Sequence, residues 1–152
     1  MKNGNFEAWA KNANVTGVYT YAGFGFSPAD FGSVCDRAHA LHLLCSPSVA
    51  PGFSGLRATP IKTVVNRNNG STYDSQWAGA LSAGADVVSI TSYNEWHEGS
   101  QIEASVPHCM PDSTCMKDFQ GAYGSTDNGA NAYLTRTNYW TNIYKSQIPA
   151  AF

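Results

Sequence analysis

Two glutamates, Glu95 and Glu98, lie three residues apart in the stretch SYNEWHEGSQIE. Glycoside hydrolysis commonly needs two carboxyl groups that flank one bond: one gives a proton, and the other takes a proton or attacks. Their surroundings must differ, so that one group stays protonated while the other is ionised. We therefore interpret Glu95 and Glu98 as candidate catalytic groups that face one cavity if their loop turns back on itself. The alternative is one solvated glutamate and one glutamate paired with an arginine.

Three neighbours of these glutamates are candidates for contact with a sugar. Asn94 precedes Glu95 directly and can orient its carboxylate through the side-chain amide. Trp96 and His97 lie between the glutamates, where an indole can stack on a sugar ring and an imidazole can tune a carboxyl group. Each has a structural alternative, because a tryptophan near a strand end commonly packs and a histidine commonly forms a bracing hydrogen bond.

The glutamates follow the third of three similar segments, each an apolar run followed by a predicted helix. The predicted strands are 15–23, 42–53 and 85–96, and the predicted helices are 27–41, 71–84 and 128–147. Continuous apolar runs are typical of parallel strands that are covered on both faces. Alternating strands and helices predict β/α units, whose crossovers bring all strand C-termini to one face, where catalytic residues collect.

Local signals mark several of these boundaries. Ser27 is a predicted helix cap with Pro28 at the first helical position, and Gly84 is a predicted helix stop. Residues 54–70 are predicted to be a long loop, and the two ends and 104–131 resemble linkers. Arg67 lies among asparagines and is predicted to be a supporting residue that holds a loop. Asp74 is predicted to be a helix-turn residue. In the last helix, Tyr133, Leu134, Thr137, Trp140 and Tyr144 recur at helical spacing. We expect the stripe of Tyr133, Trp140 and Tyr144 in the core, and the alternative is a platform for carbohydrate.

Length and charge narrow the possibilities further. The chain has 152 residues, which predicts one domain over 1–152. Charged residues make up 13% and the net charge is −2, so we expect no nucleic-acid partner and no membrane partner. The N-terminus lacks the apolar region of a secretory signal.

The four cysteines leave their pairing open. Cys109 and Cys115 lie in the loop segment HCMPDSTCMKD, where we expect a local disulfide. Cys35 and Cys45 either pair with each other or remain buried thiols. The spacing of these cysteines does not match common zinc sites, so no metal is expected.

Several blocks of the sequence resemble glycoside hydrolase family 99, the endo-α-mannosidase family. The blocks are SITSYNEWHEGSQIE, GVYTYAGFGF, LLCSPSVAPGF and NRNNGSTYDSQWAGAL, and they cover about residues 15 to 107. The resemblance implies a (β/α)8 barrel, of which this chain would hold roughly the last three β/α units and a C-terminal helix. A closed barrel of this type needs about eight strands and ~250 residues.

The resemblance also implies a mechanism. Family members are retaining, endo-acting hydrolases that cut α-mannosidic linkages inside glycans without a cofactor. Glu95 would act as base on the 2-hydroxyl of the sugar, which forms a 1,2-anhydro sugar, and Glu98 would protonate the leaving oxygen and then activate water. Tyr21 matches a tyrosine of the subsite that holds the cleaved sugar. The expected partner is therefore an α-mannose-containing glycan or polysaccharide.

The family's N-terminal barrel portion has no counterpart in this chain, which leaves two functional hypotheses. In the first, the chain is the catalytic C-terminal part of an endo-α-mannosidase-like hydrolase; in the second, it is a non-catalytic remnant with weak or no glycan binding. Three parallel strands alone would leave the edges of their sheet unpaired. We therefore predict self-association or dependence on the missing barrel portion. The four cysteines and the location implied by the family resemblance predict that the protein is extracellular.

Overall fold

In the computed structural model, residues 6–21, 24–58, 60, 62–105 and 129–147 are described, and they alternate between helices and short strands. The helices are α1 (Phe6–Ala13), α2 (Pro28–His39), α3 (Gly55–Ala58), α4 (Ser71–Ser82) and α5 (Ala132–Gln147), with 3₁₀ turns at Asn68–Gly70 and Gly129–Asn131. The strands are β1 (Gly17–Tyr19), β2 (Leu44–Ser46), β3 (Ser48–Val49), β4 (Phe53–Ser54), β5 (Val64–Val65) and β6 (Ser89–Ile90).

The chain divides into two compact units. The first unit comprises Met1–Ala50 and Ser75–Thr91, and the second comprises Pro51–Asp74 and Ser92–Phe152. The expectation of one domain over 1–152 stays a prediction.

The described strands of the first unit form two separate two-stranded sheets, and both pairs are parallel, as the sequence predicts. β1 pairs with β2 in the register Gly17↔Leu44, and β3 pairs with β6 in the register Ser48↔Ser89. Only Pro47, which has no backbone N–H, separates β2 from β3. The strands are shorter than predicted. The apolar runs continue beyond the residues whose backbones form strand-to-strand hydrogen bonds.

Helix α2 begins where the sequence predicts. Pro28 occupies its first position, and the carboxylate of Asp30 accepts hydrogen bonds from the backbone N–H and the hydroxyl of Ser27, at 2.7 Å and 2.6 Å. At the end of α4, Gly84 has φ +67°, a left-handed conformation that glycine adopts without steric cost. Both predicted helix boundaries are confirmed.

Helix α1 covers part of the core of the first unit, so the prediction that the N-terminal end is linker-like is wrong for these residues. Phe6 and Ala10 of α1 join the buried cluster that Val34, Cys35 and Cys45 form. An ion pair between Arg37 and Glu7 ties α1 to α2. The helix was missed because eight residues carry too little periodicity to identify a helix.

A disulfide between Cys35 and Cys45 joins α2 to β2. Both cysteines are fully buried. Of the two alternatives that the sequence leaves open for this pair, pairing is therefore correct. The predicted Cys109–Cys115 disulfide lies outside the described residues.

Strands β4 and β5 form an antiparallel pair in the second unit, with the register Phe53↔Val65 and α3 between them. The prediction of one long loop over 54–70 is wrong for these residues. Each strand has only two residues, so neither shows the alternation by which a strand is recognised.

Helix α5 packs its aromatic stripe in the second unit. It begins at Ala132, after a 3₁₀ turn, slightly later than predicted. Tyr133 is fully buried, with its ring edge-on to Tyr73 at 5.7 Å between centroids. The hydroxyl of Thr137 lies 2.9 Å from that of Tyr73. The predicted core role is confirmed for Tyr133, whereas Trp140 and Tyr144 are only half-buried. Among the described residues, the helices are too short or too polar to cross a membrane.

Candidate functional site

The two candidate glutamates lie on a loop that folds back on itself within the second unit. The backbone N–H of Ser100 donates to the carbonyl of Glu95 at 3.1 Å, and that of Ile102 donates to the carbonyl of Ser92 at 3.0 Å. The N–H of Glu95 is itself held by the hydroxyl of Ser92 at 2.9 Å. Residues 92–103, called the acid loop below, are therefore closed by their own hydrogen bonds.

The two glutamate side chains differ in exposure. Glu95 is exposed and Glu98 is half-buried. Within the described part of the chain, neither carboxylate takes part in a hydrogen bond or an ion pair. The backbone at Glu98 is anchored, because its carbonyl accepts a hydrogen bond of 2.7 Å from the N–H of Ser54 in β4.

The three predicted neighbours of the glutamates share this loop. Asn94 and His97 are exposed, and Trp96 is half-buried. The indole N–H of Trp96 donates to the carboxylate of Glu103 at 2.6 Å. This bond gives Trp96 a structural role in closing the loop. The sequence alone does not identify Glu103 as its partner, although both residues lie in the same motif.

Tyr21 lies in the first unit, whereas the five candidates from Asn94 to Glu98 lie in the second. The side chain of Tyr21 is 63% exposed. Its carbonyl accepts a hydrogen bond of 2.9 Å from the hydroxyl of Thr91. Thr91 directly follows β6, and its backbone N–H donates to the carbonyl of Val49 in β3. The roles of all six candidates stay predictions.

Arg67 reaches the acid loop from beyond β5. One of its terminal nitrogens donates to the carbonyls of Gly99 and Gln101, at 3.0 Å and 2.6 Å. The prediction that this arginine holds a loop is confirmed. A cavity of about 10 Å³, the size of one water molecule, lies beside it. Its described lining is Phe53, Ser54, Val64, Val65, Asn66, Arg67 and Gly99, so the glutamates are not part of it.

Asp74 does more than the helix-turn role that the sequence predicts. Its carboxylate pairs with Arg136 and accepts a hydrogen bond of 2.9 Å from the indole N–H of Trp140. Arg136 also donates to the carbonyl of Asn69 at 3.0 Å. The two contacts of Asp74 link α4 to α5, and their partners lie 62 and 66 residues from Asp74 along the chain, beyond the reach of local sequence patterns.

The described residues contain no group of three or more histidine, cysteine, aspartate or glutamate side chains that could hold a metal ion. The candidate residues of the acid loop carry carboxyl groups, an amide, an indole and an imidazole.

The chain is similar in sequence and in structure to known proteins. The sequence model of glycosyl hydrolase family 99 matches residues 2–146, which include all six candidates. Among solved structures, the GH99 endo-alpha-mannosidase from Bacteroides thetaiotaomicron is similar, with a TM-score of 0.79 and 34% identity. That likeness covers 93% of this chain and 41% of the bacterial one.

Curated vertebrate proteins are also similar. The chain is 38% identical over 106 residues to a human glycoprotein endo-alpha-1,2-mannosidase-like protein, which covers 65% of this chain and 23% of that protein. It is 33% identical over 139 residues to the glycoprotein endo-alpha-1,2-mannosidase of Xenopus laevis, which covers 86% of this chain and 29% of that protein. The chain thus spans less than a third of the length of these relatives.

Proposed function

Because the chain belongs to glycosyl hydrolase family 99, we propose that it carries the catalytic glutamates of a retaining, endo-acting hydrolase of α-mannosidic linkages. The observation that carries this proposal is the acid loop, which brings Glu95 and Glu98 into one short, internally bonded segment of the matched region. The proposed substrate is an α-mannose-containing glycan or polysaccharide, cleaved within the chain of sugars.

In the proposed mechanism, the enzyme needs no nucleophile of its own. Glu95 takes a proton from the 2-hydroxyl of the mannose residue, and the oxygen attacks the neighbouring anomeric carbon to form a 1,2-anhydro sugar. Glu98 gives a proton to the departing glycosidic oxygen. In the second step Glu98 takes a proton from water, whose oxygen attacks the anomeric carbon and opens the anhydro ring, while Glu95 returns its proton to the 2-oxygen. The starting configuration and the starting protonation of both glutamates are thereby restored. Two inversions at the anomeric carbon give overall retention.

The physical basis of the first step is proximity. The 2-hydroxyl already lies next to the reacting carbon, so no second molecule has to be positioned. The base has only to weaken the O–H bond as the glycosidic bond lengthens. The different exposures of Glu95 and Glu98 support a division of roles, because the two carboxyl groups have different surroundings.

We propose, further, that the chain is part of a (β/α)8 barrel, with its strand C-termini at the active-site face. The parallel pairs β1–β2 and β3–β6, with α2 between β1 and β2, support this proposal. Tyr19 and Leu44 lie on the side of β1 and β2 opposite the buried Cys45, and they are 57% and 52% exposed. Parallel sheets are covered on both faces, so we expect further barrel strands to cover these side chains in the assembled protein.

An extracellular location is also proposed. The Cys35–Cys45 disulfide supports it, because disulfides persist mainly in oxidising compartments.

The test is hydrolysis of a synthetic glucosyl-α-mannoside or α-mannobioside by the chain, with Glu95→Gln and Glu98→Gln as controls. We expect product of retained configuration and rates that fall by about 10²–10⁴-fold in either variant. Equal rates in all three proteins would contradict the catalytic assignment. No turnover, with sugar binding weak or undetectable, would instead favour a non-catalytic remnant.

A further inference from the structure

We propose that Arg67 is a positioning residue of this reaction: its guanidinium orders the backbone of residues 99–101 and thereby directs Glu98. The inference rests on the proposed function for its catalytic meaning, whereas the ordering itself can be measured without turnover.

The contacts of Arg67 are unusual for an arginine because they are buried. The residue is 3% exposed, and a single terminal nitrogen donates to the carbonyls of both Gly99 and Gln101. Gly99 follows Glu98 directly and is itself buried, with φ +63°. Hydrogen bonds from a charged donor are about twice as strong as those between neutral groups. The charged guanidinium of Arg67 thus binds the backbone carbonyl of Gly99, the residue that follows the proposed acid Glu98.

Three of the four carbonyls from residue 98 to residue 101 are held from outside the acid loop. Ser54 of β4 donates to the carbonyl of Glu98, and Arg67 donates to the next one and to that of Gln101. Ser54 lies in β4, and Arg67 lies two residues after the end of β5. The backbone that carries Glu98 is therefore fixed against a paired element, which limits the directions its side chain can take.

Arg67 is fixed in turn by its surroundings. A Cβ atom placed on Gly52 would lie 2.7 Å from the Cγ of Arg67 and 2.8 Å from the carbonyl oxygen of Val65, so glycine is required for the arginine stem to pass. The guanidinium also lies over the ring of Tyr133, 4.6 Å from its centroid. Tyr133 is a fully buried residue of α5, so Arg67 connects the acid loop to that helix.

These contacts explain why arginine suits the position. A guanidinium is flat and stacks on an aromatic ring while its edge donates hydrogen bonds, whereas an ammonium group is compact and more strongly hydrated. Lysine could donate to the same two carbonyls but would not reproduce the stacking. We therefore expect Arg67→Lys to retain part of the ordering and Arg67→Met to retain none.

The experiment measures hydrogen exchange of the acid-loop amides in the full 152-residue chain, with Arg67→Met, Arg67→Lys and Arg136→Met. Arg136 is a matched control, because it is an arginine of the same unit that binds Asp74 and Asn69. We expect Arg67→Met to raise exchange at Ser100 and Ile102 by about tenfold or more, through local opening. Arg67→Lys should raise it less, and Arg136→Met should leave it near the parent value.

Unchanged exchange in Arg67→Met, or an equal rise in Arg136→Met, would overturn the proposal, since the effect would then be absent or global. The same proteins are then assayed on the glucosyl-mannoside. We expect kcat to fall by about tenfold or more in Arg67→Met with KM little changed, and to recover partly in Arg67→Lys. A loosened loop with an unchanged kcat would also overturn the positioning role. A parent chain without turnover would instead count against the proposed function, and exchange would still decide the ordering.

Discussion

The indole N–H of Trp96 donates a hydrogen bond of 2.6 Å to a carboxylate oxygen of Glu103. This contact joins two residues seven positions apart in the acid loop, and Glu98 lies between them. A residue that the sequence offers as a sugar-stacking face therefore has a structural partner on its own loop.

Replacing Trp96 with phenylalanine tests this structural role. The change keeps an aromatic ring but removes the donor to Glu103, and a hydrogen bond to a charged group is worth about 1.5–3 kcal/mol. We expect the free energy of unfolding in urea to fall by roughly that amount. Glu103→Gln provides the complementary variant, since it keeps an acceptor but removes the charge, and it should cost less. An equal or larger loss in Glu103→Gln would contradict this assignment of the contact.

The Cys35–Cys45 disulfide should contribute measurably to stability. It closes a loop with a sequence separation of 10 residues, for which loop entropy predicts roughly 2–3 kcal/mol. We expect the double variant Cys35→Ala/Cys45→Ala to lose about this much in chemical denaturation under oxidising conditions. A loss below about 0.5 kcal/mol would contradict a stabilising role for this bond.

The same double variant tests the predicted Cys109–Cys115 pair. If those two cysteines form a disulfide, a reductant should still alter the mass of the alkylated double variant by two labels. If they are thiols, the double variant should take up both labels without reductant, and the local pairing would be wrong.

Much of the order of elements follows from local signals in the sequence. Ser27 with Pro28 and Gly84 mark helix boundaries because capping and left-handed backbone conformation depend on the residue itself. The β4–β5 pair was missed for the opposite reason. Two residues in each strand give no periodicity, and their pairing depends on tertiary contacts.

In the acid loop, too, some features follow from local sequence and others depend on tertiary contacts. Its glutamates are recognisable from their spacing, and its closure is short-range, from Ser92 to Glu103. The donors that fix it come from distant positions: Arg67 lies 32 and 34 residues from its two acceptors. The asparagines around Arg67 suggest that it holds a loop, but the sequence does not indicate that the arginine is buried or which carbonyls it binds.

The link between α4 and α5 can be measured with a double-mutant cycle. Asp74 pairs with Arg136, and both side chains are about one-third exposed. We expect a coupling free energy of about 1 kcal/mol between Asp74→Asn and Arg136→Met, toward the upper end for a solvent-accessible ion pair. The cycle is measured by urea denaturation at low and moderate salt. A coupling near zero at both salt concentrations would mean that the ion pair does not stabilise the contact.

Asp86 should make stability depend on pH in the acid range. Burial opposes ionisation, but the hydrogen bond from the backbone N–H of Cys45 and the contact with His39 lower the pKa of Asp86. A lowered folded-state pKa stabilises the fold above the unfolded value of about 3.9, and that contribution is lost as the pH falls through the folded pKa. We therefore expect Asp86→Asn to be less stable than the parent at pH 6. The difference should shrink below about pH 4, and a difference that grows on acidification would contradict the sign.

The central claim is that Glu95 and Glu98 divide the work of breaking one glycosidic bond. Protonation by Glu98 matters only for a leaving group that departs poorly, whereas Glu95 acts on the sugar itself. The measurement is the first-turnover release of leaving group from two glucosyl-α-mannosides, one with an activated aryl alcohol and one with a sugar.

We expect Glu98→Gln to lose about 10²–10⁴-fold on the sugar leaving group and far less on the activated one. Glu95→Gln should lose activity on both substrates alike. Equal first-turnover rates in the parent and both variants, or the same dependence on leaving group in both variants, would contradict the account.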